Sequence, residues 1–519
     1  MFFKSPKKNK RKEQDHSKQE DFSTELSTSL EQNIVNIKKM LDQPSDLITR
    51  PFIVGETGPA CAIIYIDGLT DTKVINDSIM KNLQIGVDEI ESRSEETETA
   101  LLDRLSHHFI SSGSVKKVTT MDEASLAILS GDTALFVEGT DQLLVIDTKG
   151  WKSRSIEQPT TEGTIRGPRD AFTESIRTNT MLIRRRIRDA NLRFKSQQIG
   201  RRSKTRLTVA YIDGIVHNDL LQEVNKRLES IDLDDAPESG YIEQWIEDSF
   251  LSPFPQMHNT ERPDKVATAL TEGKIAILLD GTPFVLIAPA TFGAMMHSPE
   301  DYYERWMIGT LLRILRYFAA FLAVFLPALY IALVSYHPGL IPSKLAFSIA
   351  ATREGLPFPA VIEAFLMEIT MELLREAGIR LPKPIGQTIG IVGGLVIGEA
   401  AVSAGIVSPV MVIIVAVTAI ASFSLPSYSF AISIRMLRFS FMLAAAFLGL
   451  YGIILAYIMV NIHIVNLKSF GIPYSTPFAP AFKSDWKDLV LRVPIPMMNR
   501  RPKFLQPEDE KRIDKEDQS

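Results

Sequence analysis

The chain has one cysteine in 519 residues, Cys61. A lone thiol excludes an internal disulfide and any cysteine-rich metal site, and it fits a cytosol-facing, thiol-neutral setting. There is no P-loop, no GxGxxG opening a helix and no HExxH. The eight histidines are scattered, and His107-His108, the only adjacent pair, reads as part of a polar loop. No catalytic, metal or cofactor constellation is present, so the expectation is a non-enzymatic protein. The formal net charge of −5 argues against a dedicated nucleic-acid binder. The most informative scarcity is local. Residues 317–343, 400–434 and 439–467 contain no Asp, Glu, Lys or Arg, and 384–398 extend the second run backwards, interrupted only by Glu399.

Crossing the hydrocarbon core takes about 20 apolar residues. Spans are therefore expected near 317–336, 386–406, 408–425 and 439–462, within a transmembrane domain over 301–470. Arg313 and Arg316 precede the first span, and no signal sequence precedes the large N-terminal part, so that part is expected in the cytoplasm. Arg435 and Arg438 before the last span ask for the same side, and so does the basic tail with Lys483, Lys487, Arg492, Arg500 and Arg501. One crossing at 439–462 cannot satisfy both, and residues 357–378 are the expected source of the conflict.

The polar half contains a repeat. Cys61–Leu69 reads CAIIYIDGL and Leu207–Ile215 reads LTVAYIDGI; Gly131–Thr140 reads GDTALFVEGT and Gly273–Thr282 reads GKIAILLDGT. The offsets, 146 and 142 residues, agree closely. The fold expected is an α/β cytoplasmic part with two duplicated subdomains, followed by an all-α polytopic membrane domain. Residues 1–40 read as a disordered basic tail, solvated or touching anionic lipid. The first subdomain is placed at 41–150, an Arg-rich helical connector at 151–205, the second subdomain at 206–300 and a C-terminal tail at 471–519. Asp67 and Asp213 read as turn residues, because Asp-Gly commonly ends a strand.

Within the connector, Arg169, Arg177, Arg184, Arg185 and Arg186 stand out. Nucleic-acid stacking, contact with anionic lipid and pairing with an acidic partner surface compete. The last fits best, because guanidinium groups suit interface carboxylates.

In the membrane half, Gly386, Gly390, Gly394 and Gly398 recur every four residues and predict a close-packing stripe. Glu399 is expected to face protein or water rather than lipid. Residues 357–378 predict a helix opened by Pro359 and closed by Gly378. Val361, Ile362, Phe365, Ile369 and Leu373 form its apolar face, while Glu368, Glu372 and Glu376 recur at four-residue spacing and Glu363 points elsewhere. Such a helix either lies at the interface as an amphipathic surface helix, with Glu372 paired to Arg375 beside it, or lines a watery cavity. In a ring of subunits its carboxylates would favour cations, and Val361, Ile362 or Phe365 would form a dry constriction.

The runs GPRDAFTESIRTNTMLIRRRIRDANL (167–192), ESGYIEQWIEDSFLSPFPQMHNTERPDKV (238–266), SPEDYYERW (298–306) and EGLPFPAVIEAFLMEITMELLREAGIRLP (354–382) resemble the A subunit of GerA-type spore germination receptors. The resemblance covers about residues 40–500. It implies a location in the inner membrane of the bacterial spore, with the N-terminal part on the core side. It further implies a transporter-like B subunit and a lipoprotein C subunit as partners, a homo-oligomer, and a nutrient-gated cation channel that starts germination. A membrane-anchored scaffold and a secondary transporter subunit are the alternatives to that function.

Overall fold

The computed structural model describes residues 25–55, 58–85, 102–105, 114–150, 158–159, 161–381, 394 and 396–513. The polar half folds into two copies of one plan. The first unit contains α1 (Leu30–Met40), β1 (Leu47–Ile53), β2 (Ala60–Ile66), a helical run from Thr72 to Ile85, β3 (Val115–Val118), α2 (Met121–Leu129), β4 (Thr133–Val137) and β5 (Leu143–Ile146). The second contains α3 (Ile176–Arg186), β6 (Leu192–Ile199), β7 (Thr205–Ile212), α4 (Asn218–Glu229), α5 (Ser239–Ile246), β8 (His258–Thr260), α6 (Pro263–Thr271), β9 (Ile275–Leu279) and β10 (Val285–Ala288). Each forms an antiparallel five-stranded sheet, ordered β1-β2-β4-β5-β3 and β6-β7-β9-β10-β8. The order is identical position for position.

The period-2 alternation of a strand explains how the units join. Ala62, Ile64 and Ile66 of β2 and Ala210 and Ile212 of β7 point into one shared core, which also takes the apolar sides of α1, α2, α3 and α6. The opposite faces, Cys61 and Ile63 on β2 and Leu207, Val209 and Tyr211 on β7, enter separate cores. The turns repeat as well. Gly139 and Gly281 have φ of +83° and +93°, and their amides donate to Thr28 and Glu174 at 2.8 Å. The preceding acids, Glu138 and Asp280, accept from the amides of Leu30 and Ile176, which open α1 and α3.

Two boundaries shift. α1 begins inside the stretch read as a disordered tail. α3 and β6 lie inside the stretch read as a connector, where they are the first helix and an edge strand of the second unit. An arginine-rich composition resembles surface, yet Ile176, Met181, Leu182 and Ile183 are buried and Arg184 is buried with them.

Among the described residues, the membrane half contains α7 (Trp306–Ser335, with Pro327 inside), α8 (Ser343–Arg353), α9 (Ala360–Arg380), α10 (Pro409–Phe423) and α11 (Tyr428–Asn466). α7 and α11 are long and apolar enough to cross a membrane. α11 is not one straight rod. The Phe254 ring lies 6.3 Å from that of Phe430 and 6.1 Å from that of His463. A straight helix would separate Phe430 from His463 by about 50 Å, at ~1.5 Å per residue. The chain reverses at Gly449, whose φ of 59° and ψ of −138° are non-helical. The two arms run antiparallel: Phe441 in one and Tyr457 in the other both pack on Phe325 of α7. The single crossing expected at 439–462 is therefore a hairpin, and both of its ends lie beside the second α/β unit. This removes the conflict in the charge reading, because the chain enters and leaves on the same side.

After α11 the chain packs back onto the second unit. Phe470 enters that unit's core. The amide of Glu508 donates to the carbonyl of Ile215 at 3.1 Å.

Candidate functional site: a charged layer in the membrane bundle

α9 carries Glu363, Glu368, Glu372 and Glu376 through an otherwise apolar helical region. Pro359 precedes its first turn and suits a helix start, since its missing N–H would be unsatisfied there. Glu363 and Glu368 are fully buried. Glu363 Oε1 lies 2.9 Å from the guanidinium of Arg353 in α8. Its Oε2 accepts from both the amide and the hydroxyl of Ser408, each at 3.1 Å, just before α10. Glu368 Oε2 lies 2.5 Å from Arg438 in the first arm of α11. Each nitrogen of Arg438 has a partner: besides Glu368, it donates to the carbonyl of Ala323 in α7 at 2.7 Å and to the hydroxyl of Ser422 in α10 at 2.5 Å. Glu372 is shared by Arg375 at 2.7 Å and Arg435 at 3.4 Å. Arg375 also stacks over Phe423 at the end of α10, 5.1 Å from the ring centroid.

Burying a lone carboxylate in hydrocarbon is strongly unfavourable, and pairing it with a hydrogen-bonded guanidinium makes it tolerable. The sequence left open a watery cavity or a surface helix with Glu372 paired to Arg375; in the protomer arginines receive these side chains, Arg375 of the same helix among them. Arg435 and Arg438 are thus internal partners rather than topology-setting charges at a membrane border. α9 and α10 run parallel, since Glu363 meets Ser408 at one end and Arg375 meets Phe423 at the other.

The face of α9 turned outward is apolar. Ile362, Leu366, Ile369 and Leu373 are exposed. Val361 and Phe365 are half-buried against the bundle core, with Phe365 6.2 Å from Phe439. Glu376 is exposed and pairs with Arg380. The sequence placed Val361, Ile362 and Phe365 on one face; of the three, the structure exposes Ile362.

The other residues singled out scatter. Gly386 and Gly390 lie outside the described residues. A Cβ on Gly394 would meet nothing within 4 Å, whereas one on Gly398 would lie 3.3 Å from Val412 of α10. Close packing is therefore seen at Gly398 alone among the described members of the stripe. Glu399 is exposed. The arginines find partners within the chain. Arg184 donates to Asp46 through two nitrogens, at 2.5 and 2.9 Å, and both groups are buried. Arg177 pairs with Asp67 and Arg186 with Asp170, each at 2.5 Å. Asp46 and Asp67 belong to the first unit and the arginines to the second, so these pairs lock the two units together. Arg169 and Arg185 are exposed.

Sequence reasoning missed a second charged node below the bundle. Arg313 of α7 is fully buried between Asp301, at 3.0 Å, and Asp488, at 2.7 Å. Arg316 also holds Asp301. Burial pushes the Asp301 carboxyl up, but the guanidinium groups of Arg316 and Arg313 outweigh it and hold the carboxyl below its ordinary range. The node ties α7 to the second unit and to the C-terminal segment. The signal available was Asp301 and Arg313 flanking the start of an apolar run.

Residues 35–504 match the family model described as Bacillus/Clostridium GerA spore germination protein. The chain is 52% identical to spore germination protein GerLA of Bacillus cereus, covering 93% of this chain and 97% of that one. It is 45% identical to spore germination protein KA of Bacillus subtilis over 95% of this chain and 89% of that one. Among solved structures, the N-terminal domain of the A subunit of the Bacillus megaterium spore germinant receptor GerK3 is 37% identical, covering 52% of this chain and 97% of that chain with a TM-score of 0.40.

Proposed function

Because the chain belongs to the GerA family, as the A subunit of a spore germination receptor, we propose that copies of it assemble into a nutrient-gated cation channel in the spore inner membrane. The observation that carries this reading is α9. One helix buries Glu363 and Glu368 inside an apolar bundle, carries Glu372 half-buried and Glu376 exposed beyond them, and leaves an apolar stripe uncovered on its other side. Intramembrane carboxylates are costly and by default mark an ion path. When copies pack around an axis, Ile362, Leu366, Ile369 and Leu373 supply a dry constriction that gates by dewetting. Glu372 and Glu376, less deeply held than Glu363 and Glu368, supply negative charge at one mouth.

Nutrient is sensed within a complex with a transporter-like B subunit and a lipoprotein C subunit, and its binding shifts a two-state equilibrium. Opening need not create new charge; it needs only to loosen a Glu–Arg pair so that a carboxylate faces the axis. Both ends of the α11 hairpin and the C-terminal segment lie on the side of the α/β units. That side is the spore core, since the chain's basic residues outside the bundle gather there.

The test is cation release from spores. Glu372→Gln is expected to slow nutrient-triggered release several-fold at unchanged protein level. Ile362→Ala is expected to make dormant spores leak cations without nutrient. Normal release in the first and full retention in the second would remove α9 from the ion path.

A further inference from the structure

The second α/β unit meets the α11 hairpin through residues 252–259. The Ser252 hydroxyl lies 2.8 Å from Nε2 of His463 in the second arm. The hydroxyl of Ser433, in the first arm, donates to the carbonyl of Pro253. Phe254 is wedged between the arms, against Phe430 and His463. Immediately before this contact the chain does something unusual for a soluble unit: Phe250 and Leu251 are 80% and 83% exposed, side by side. Tyr241 and Trp245 on the preceding helix, α5, are exposed as well.

Depth decides what this patch meets. Measured along the arms from the turn at Gly449, His463 lies about 21 Å away and Ser429 about 30 Å, at ~1.5 Å per residue. The hydrocarbon core is about 30 Å thick. The outer surface of the second arm exposes Ile458, Ile462 and Val465, with Asn461 and Asn466 exposed among them. Leu251, one residue from the contact with His463, therefore lies at the depth of Ile462 and Val465. It is held there by the Ser252 and Pro253 contacts on either arm.

We infer that residues 249–252 are a membrane-contact loop, in which Phe250 and Leu251 enter the boundary between lipid headgroups and acyl chains beside the second arm of α11. Tyr241 and Trp245 sit further out at headgroup level, where such amphipathic rings concentrate. The occupant is phospholipid, because the patch continues the lipid-facing surface of the arm rather than a groove shaped for a polypeptide. Two acids, Glu243 on the same helix and Glu247 just past its end, accord with this. Burial, with neighbouring carboxylates, pushes Glu243 and Glu247 up to about 7, so each sheds much of its charge near neutrality and tolerates a lipid surface. The loop thereby couples the second unit directly to bilayer position and thickness. This inference holds whether or not the subunit conducts ions.

The test uses the full-length protein in phosphatidylcholine–phosphatidylglycerol vesicles. Cys61 is buried, so a nitroxide thiol label reacts only at an introduced cysteine. Labels are placed separately at F250C and L251C, with I462C as the lipid-facing reference and Q222C as the aqueous one. Both loop sites are exposed, so neither change removes a core contact. At 250 and 251, collisions with oxygen are expected to exceed those with a water-soluble nickel complex several-fold, as at 462 and opposite to 222. Accessibility like that at 222 would overturn the inference. Shielding from both collision partners would overturn it too, and would show another protein covering the loop.

Discussion

The α/β half and the membrane half both use buried arginine–carboxylate pairs, and comparing them separates two uses of one interaction. In the α/β half, Arg184 and Asp46 meet between two units that also share an extensive apolar core. The pair fixes how the units dock, and the core supplies the driving force. In the membrane half, Arg438 joins α7, α9, α10 and α11 through three hydrogen-bonded partners. Lipid is as apolar as the side chains there, so burial drives little and polar contacts carry more of the specificity. The same chemistry is a positioning device in water and a principal joint in the bilayer.

That contrast is broken or sharpened first by truncating each arginine. Arg438→Ala strands Glu368 in the bundle and is expected to cost about 3–5 kcal/mol, read as loss of folded protein in detergent. The double change Arg438→Met with Glu368→Leu should recover much of it, since no charge is left unpaired. Arg184→Ala should cost less, about 3 kcal/mol at the lower end for a buried pair, because the shared core keeps the units docked. If Arg184→Ala proves the more damaging, the comparison is wrong.

A second test targets the turn of the hairpin. At Gly449 a Cβ would lie 3.0 Å from Tyr336 and His337, and φ is +59°. Gly449→Ala should destabilise by about 1–3 kcal/mol from backbone strain alone, since φ of 59° with ψ of −138° is essentially confined to glycine, visible as a lower midpoint of thermal unfolding. Spin labels at positions 430 and 463 should report a separation far below the about 50 Å that a straight helix of this length would impose. Failure there would restore a straight α11.

A further test concerns pH and the α/β half. The Glu243 carboxyl is raised to about 7 in the folded protein, against about 4.3 for an unperturbed Glu. A raised carboxyl is charged more readily when unfolded, so stability falls as pH rises from about 4.3 towards 7 and stays lower above it. Glu243→Gln should therefore stabilise the protein at pH 8 and change little at pH 4. Thermal unfolding at the two pH values checks the sign.

How much of this was readable beforehand differs between the halves for physical reasons. The duplicated strands announced themselves because central strands buried on both faces need β-branched runs and their turns need glycine. The repeat also reached further than the strands. Ser27 and Asn33 exchange two hydrogen bonds, Asn33 Oδ1 with the Ser27 amide and Nδ2 with its carbonyl. Thr173 and Asn179 make the same two. LSTSLEQN (26–33) and FTESIRTN (172–179) stand at the offset of the first strand match. That alignment was available in the sequence and would have placed α1 and α3 inside their units. Arg177 and Arg184 misled because composition reports charge, not partners, and their aspartates, Asp67 and Asp46, lie far away along the chain.

In the membrane half, charge-free runs located the apolar helices. They did not disclose the reversal at Gly449, since one glycine in a long apolar run looks like any other. The acidic helix was legible, and so was its internal partner Arg375, whereas Arg353, Arg435 and Arg438, which come from other helices, were not. Arg435 and Arg438 flank an apolar run in the sequence and read as border charges, but the fold draws them inward.

The central claim, that α9 lines a cation path when copies assemble, is tested most directly by current through a planar bilayer containing the purified full-length assembly. The account predicts cation-selective conductance, raised by Ile362→Ala and lowered by Glu372→Gln. Intact assemblies that carry no current above the bare bilayer, in both the unaltered protein and Ile362→Ala, would contradict it.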